Sequence, residues 1–259
     1  MSDTLRRICE DKRVETAARR RLSPHPDTTV ATTPRSLLLG DFGVIAEVKR
    51  ASPSAGQIAS HVDAVAQARK YAFAGAAAVS VLTDTPYFGG QLVDLTDVRA
   101  AVDVPVLRKD FILDPYQVEE SRAAGADLVL LIVVALDPFL LRDLAVQIRE
   151  LGMTPLVEVH HLAEVPVALE ALADGGLLGV NARNLGTLQV DLDIWEQAAD
   201  CLVREAPSSL DYIAESGVRT PSDAWRAQAA GYRGVLCGEA LMRAPDPVAF
   251  LGEMCRTGL

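Results

Sequence analysis

Short apolar runs of β type alternate with longer amphipathic stretches along most of the chain, and this rhythm limits the fold more than any other feature. The runs are Val44–Val48, Ala78–Leu82, Pro105–Leu107, Leu128–Val133, Leu156–Val159, Leu177–Val180, Tyr212–Ala214 and Gly234–Cys237. Between them lie helical patterns such as Val62–Ala74, Pro115–Ala124, Pro138–Leu151, Leu162–Ala173 and Pro221–Ala230. Gly75, Gly125, Gly152 and Gly231 close four of these, at the place just past a helix end that favours glycine. Run starts recur every 20–35 residues or so, the spacing of βαβ units in a parallel sheet. Eight such units in about 215 residues predict an α/β fold, a single (β/α)8 TIM barrel. A doubly wound sheet usually has fewer strands and a glycine-rich first turn, and no Gly-x-Gly-x-x-Gly occurs here.

Residues 1–40 precede the first run. Leu5–Arg20 is helical in pattern and strongly charged, and a Pro/Thr-rich connector follows around Ser23–Pro34. The expectation is one domain over 1–259, with 1–40 as an N-terminal helical extension laid over one barrel mouth and 44–259 as the barrel.

Composition narrows the function classes. With 259 residues, 49% hydrophobic and 23% charged, the chain has the material for a large core. No apolar run reaches membrane-span length, and Met1–Arg7 lacks a signal-peptide apolar segment, so a cytoplasmic protein is expected. Cys9, Cys201, Cys237 and Cys255 are scattered, which predicts reduced thiols and neither a disulfide framework nor a zinc site. A net charge of −10 argues against nucleic acid and anionic membranes, while leaving room for a local cationic pocket.

Barrel chemistry gathers at the C-terminal strand ends, and here those ends are charged. The first strand delivers Glu47 and Lys49, which alternation places on one face. The third runs into Arg108-Lys109-Asp110-Phe111, and the fifth carries Glu158 among valines before His160. The sixth ends in Asn181-Ala182-Arg183, the seventh in Glu215-Ser216-Gly217, the eighth in Gly238-Glu239. Charges at the exits of apolar strands are costly unless they face something polar. Taken alone, Arg108, Lys109 and Asp110 also fit a solvated turn, and Glu158 fits a buried ion pair with Lys49 or Lys109. Recurrence on several strands at one level favours a catalytic constellation.

Ser216-Gly217 and Gly238-Glu239 follow the last two strands, where barrels often bind phosphate through backbone N–H groups. Glycine there would let an oxyanion approach the backbone. His25, His61, His160 and His161 form no metal-binding spacing, and His160-His161 reads as a solvated or capping pair. No metal or cofactor motif is evident.

With these residues in hand, the chain resembles the indole-3-glycerol-phosphate synthase family of tryptophan biosynthesis. The resemblance rests on Ile45-Ala46-Glu47-Val48-Lys49-Arg50-Ala51-Ser52-Pro53-Ser54, Ser80-Val81-Leu82-Thr83-Asp84, Pro105-Val106-Leu107-Arg108-Lys109-Asp110-Phe111-Ile112, Leu156-Val157-Glu158-Val159-His160, Gly179–Leu185, Ala214–Gly217 and Gly238–Arg243. It spans every part of the barrel, and Leu5–Arg20 looks like the family's N-terminal extension. It implies ring closure, decarboxylation and dehydration of a carboxyphenylamino-deoxyribulose 5-phosphate, without a cofactor. By resemblance Lys109 is the general acid and Glu158 the carboxylate that moves the proton in dehydration. Lys49 and Arg183 match cationic positions facing the substrate, and Glu47, Asn181 and Glu215 match polar orienting residues. Ser52, Ser216, Gly217, Gly238 and Glu239 match the phosphate cradle. Pro53, Phe88, Phe111, Leu130 and Ile132 match the apolar walls around the aromatic ring. The implied partner is a small sugar phosphate; a monomer is expected, with association among tryptophan-pathway enzymes as a further expectation.

Two positions depart from the family pattern. Ala55 stands where many members carry Lys, and Ala182 replaces a frequent second Asn, which predicts altered loop mobility or affinity with activity retained. Related readings are phosphoribosylanthranilate isomerase, which by resemblance needs a Cys at the first strand end, a Schiff-base aldolase using Lys109 or Lys49, and a non-catalytic scaffold barrel.

Overall fold

A computed structural model describes residues 2–29, 33–59, 61–205, 207 and 210–256. Residues 30–32 of the expected connector and 257–259 of the expected barrel domain lie outside the described residues. Among those described, eight parallel strands close into a barrel. They are β1 (Gly43–Val48), β2 (Ala78–Leu82), β3 (Val106–Lys109), β4 (Leu128–Ile132), β5 (Thr154–Val159), β6 (Leu177–Asn181), β7 (Asp211–Glu215) and β8 (Gly234–Cys237). Each pairs with its sequence neighbour, and closure is made by Ile45 lying against both Ala78 and Leu236. The expected strands are all present, with no end shifted by more than two residues. Val133 begins a 3-10 turn instead of ending β4.

Alternation divides each strand between two cores. Outward residues such as Val44, Val79, Val129, Val157 and Val180 pack under the surrounding helices. Inward residues Ile45, Leu107, Leu128, Leu130, Leu156, Leu177, Ile213 and Leu236 fill the barrel. Several helices start on an Asp cap followed by Pro, as at Asp114-Pro115, Asp137-Pro138 and Asp246-Pro247. The carboxylate satisfies free N–H groups of the first turn, and proline's fixed φ suits the first helical position.

The extension forms a 20-residue helix, α1 (Asp3–Leu22). It covers the C-terminal mouth: Leu5 and Cys9 join the inner core, and Ser2 Oγ donates to the Leu185 carbonyl beyond β6 at 3.0 Å. Its middle is held by Lys12, buried at 1% exposure, whose Nζ lies 2.8 Å from Asp84 and 3.0 Å from Asp110. Further on, Arg35 reaches the opposite mouth, where its N–H donates to Asp127 at 2.7 Å. The extension therefore spans the barrel from one end to the other.

Arg108 and Asp110 are not a solvated turn. Both are buried, because Arg108 points outward between barrel and helix while Asp110 turns under α1. Arg108 bonds Asp110 at 3.1 Å and Glu120 at 2.8 Å, and Glu120 continues to Arg19 of α1.

Candidate active site

On four of the strands the inward side begins apolar and ends ionisable. Ile45 leads to Glu47, Leu107 to Lys109, Leu156 to Glu158, and Ile213 to Glu215, each two residues on and so on the same face. Four strands thus bring an acid or a base to one level at the C-terminal mouth. Above it opens a cavity of about 1070 Å³. All seventeen residues expected at the site line it: Glu47, Lys49, Ser52, Pro53, Phe88, Lys109, Phe111, Leu130, Ile132, Glu158, Asn181, Arg183, Glu215, Ser216, Gly217, Gly238 and Glu239.

Lys109 stands at the centre. Its Nζ is 2.7 Å from Glu158 Oε2 and 2.9 Å from Glu215 Oε2. Burial works against its charge, but Glu158, Glu215 and Glu47 outweigh that and hold the ammonium well above the ordinary lysine range. The two carboxyls diverge. Burial pushes Glu158 up, yet Lys109 and His160 hold it well below the usual carboxylate range. Burial and the charge of Glu158 push Glu215 well above it, against the pull of Lys109. Their surroundings thus push two neighbouring carboxyls in opposite directions.

Two glycines make room for this arrangement. Gly179 sits beside Glu158 in the β5–β6 register, and a Cβ there would lie 2.1 Å from Glu215 Oε1. At Gly238 a Cβ would lie 2.5 Å from Glu47 Oε1. Glu47 in turn is 2.6 Å from Lys49 Nζ. Glu47 thus gives the glycine at 238 a steric reason within the site itself. Ser216 and Gly217 both have positive φ, 63° and 91°, so the β7 exit folds sharply back along the cavity rim.

Walls of different character flank the centre. Phe88 and Phe111 face each other with ring centroids 6.2 Å apart, above Leu130 and Ile132. Across the cavity, Asn181 Oδ1 accepts from the Arg183 N–H at 2.9 Å, and the Arg183 guanidinium donates to the Leu188 carbonyl at 3.1 Å. Ser52 ends the first strand of a short hairpin, Ala51–Ser52 with Gly56–Gln57, whose tip includes Ala55. Ala182 is buried below the β6 loop and its N–H donates to the Glu215 carbonyl at 2.8 Å.

The sequence missed three things. Thr4, Leu5 and Ile8 of α1 line the cavity, and only the fold brings them there. Arg243 lies on the rim one helical turn after Glu239, to which it is bonded at 3.1 Å. His160 is buried, not solvated, and its Nε2 is 3.1 Å from Glu158 Oε1; the inward period of β5 was the available signal. Among the described residues no cluster of three His, Cys, Asp or Glu could hold a metal ion. No helix among them is long and apolar enough to cross a membrane.

A closed (β/α)8 barrel with acids and bases converging at its C-terminal mouth defines the class, a barrel enzyme. A family model described as indole-3-glycerol phosphate synthase matches residues 6–254. The chain is 51% identical over 215 residues to the indole-3-glycerol phosphate synthase of Parafrankia sp. (strain EAN1pec), covering 83% of this chain and 78% of the relative. It is 48% identical over 244 residues to that of Mycolicibacterium gilvum (strain PYR-GCK), covering 94% and 86%. A crystal structure of 3-hexulose-6-phosphate synthase is similar at TM-score 0.63 and 20% identity, over 83% of this chain and 97% of that one, a likeness of fold alone. The chain belongs to the indole-3-glycerol phosphate synthase family, carboxy-lyases of tryptophan biosynthesis.

Proposed function

We propose that the chain converts 1-(2-carboxyphenylamino)-1-deoxyribulose 5-phosphate to indole-3-glycerol phosphate, carbon dioxide and water, with Lys109 as general acid and Glu158 as general acid/base. The observation that carries this reading is Lys109 Nζ held between Glu158 and Glu215 on the floor of a cavity with one aromatic wall.

The aromatic carbon bearing the carboxylate attacks the ketone carbon. As that bond forms, Lys109 gives its proton to the ketone oxygen, which becomes a hydroxyl. Cleavage of the bond to the carboxylate releases carbon dioxide and returns the electron pair to the ring. The hydroxyl then leaves as water, taking a proton passed from Glu215 through Lys109, while ionised Glu158 removes the proton from the adjacent carbon. Lys49 and Arg183 face the substrate carboxylate, and Glu47, Asn181 and Glu215 orient its anilino and hydroxyl groups. Pro53, Phe88, Phe111, Leu130 and Ile132 receive the ring. Ser52, Ser216, Gly217, Gly238 and Glu239 receive the phosphate, the last mainly through its backbone.

The same reading has one domain acting as a monomer in the cytoplasm, in reach of other enzymes of the pathway. In its support, the four most exposed large apolar side chains among the described residues, Leu22, Leu38, Phe73 and Phe139, sit on four different segments. Turnover of the synthetic substrate, followed by indole fluorescence and released carbon dioxide, tests the function. Equal yields of both products are expected; a folded protein that forms neither contradicts it.

A further inference from the structure

His160 has no part in the steps above, yet it is built into the site. It continues the inward series of β5, two residues beyond Glu158, and is 3% exposed. Its Nε2 lies 3.1 Å from Glu158 Oε1, while the other oxygen, Oε2, is on Lys109 at 2.7 Å. Its backbone N–H donates to Glu164 Oε2 at 2.7 Å, which fixes the start of the β5 exit loop. Both ring nitrogens are buried without an aligned hydrogen bond among the described residues, so Nε2 meets Glu158 as a close contact at 3.1 Å. Burying a ring nitrogen this way is costly, and an apolar side chain would fill the space without that cost.

The geometry points to His160 as a positioning residue for the catalytic carboxylate: it holds Oε1 of Glu158 so that Oε2 faces Lys109 and the cavity. This rests on the reading of Glu158 as the group that moves the proton in dehydration. The role assigned is orientation of Glu158 through the Nε2–Oε1 contact. The titratable groups facing Glu158 are Lys109 from β3, Glu215 from β7 and His160 itself, with Glu164 on the backbone side of the histidine. Of these, Lys109 and His160 both favour the ionised form of Glu158.

The test compares His160→Leu, His160→Gln and Glu158→Gln in the full chain, measuring kcat, KM, the pH profile of kcat/KM, and melting. His160→Leu removes both nitrogens. It is expected to lower kcat by roughly 10- to 10²-fold, the scale of a misplaced catalytic group, with KM little changed. Its acid limb is expected at higher pH, since Glu158 loses a contact that favours its charged form. His160→Gln keeps a donor and is expected to recover most of kcat and return the limb toward the parent. A His160→Leu enzyme with parental kcat and an unmoved limb overturns the proposal. So does an activity loss that only tracks the folded fraction and is not relieved by Gln. Full turnover in Glu158→Gln would instead overturn the reading of Glu158, whatever the histidine variants do.

Discussion

Lys109 and Glu158 meet through a 2.7 Å contact between Nζ and Oε2, and Glu215 holds the same ammonium from the other side at 2.9 Å. The second carboxyl makes the pair redundant as a structural tie. Either acid alone would leave Lys109 with a partner, so a purely structural pair would not need both.

That redundancy separates chemistry from stability in Glu158→Gln. Losing one half of a sole buried pair costs on the order of 3–5 kcal/mol. Here Lys109 keeps Glu215, and Glu215 is relieved of a neighbouring negative charge. We expect Tm to change little while kcat falls by roughly 10²–10⁴-fold, the span for a positioned proton-transfer group. Melting and steady-state assays on one preparation decide it; a destabilised but active variant would contradict the assignment.

Gly179→Ala probes the same cluster from below. The added methyl meets Glu215 Oε1 at 2.1 Å, and the strand backbone cannot move aside without breaking the β5–β6 ladder. The Glu215 carboxylate, whose other oxygen holds Lys109, must therefore shift. A fall in kcat of about 10²-fold is expected from this displacement alone. Unchanged kcat would show that the position of Glu215 does not matter to the reaction.

Lys12→Met tests how α1 is held. It strips Asp84 and Asp110 of a buried ammonium, for a loss on the order of 3–5 kcal/mol. Burial raises the Asp110 carboxyl, but Arg108 and Lys12 outweigh it and hold it below the ordinary range. A depressed carboxyl stabilises the fold above its unfolded value, and that contribution fades as pH falls through the folded one. The difference in Tm between parent and variant should thus be largest near neutral pH and shrink in acid. A pH-independent difference would contradict the network.

For the phosphate end, inorganic phosphate should compete with substrate, raising apparent KM without changing kcat. Inhibition that lowers kcat at saturating substrate would place the anion elsewhere.

Much of this was legible before the fold was known. The strand spacing contained the barrel, and inward charges two residues after apolar ones marked Glu47, Lys109, Glu158 and Glu215. Arg108 and Asp110 were harder, because a charged run at a strand exit looks the same whether solvent or another helix meets it. Arg108 is buried by Gln117, Glu120 and Ser121 of the helix that follows it, and Asp110 by the return of Lys12 from a distant part of the chain. Leu5 and Ile8 were illegible for the same reason, since helix periodicity gives an apolar face without naming what it covers. His160 had a signal in the period of β5 that its neighbour His161, which is exposed, obscured.

The central claim is that Lys109 protonates the ketone oxygen, and Lys109→Met tests it most directly. The substitution keeps much of the side chain's reach and removes the acid, leaving the phosphate end and the aromatic wall intact. Measured by indole fluorescence at saturating substrate, kcat should fall by roughly 10²–10⁴-fold while KM moves far less. Near-parental kcat in the folded variant would contradict the account.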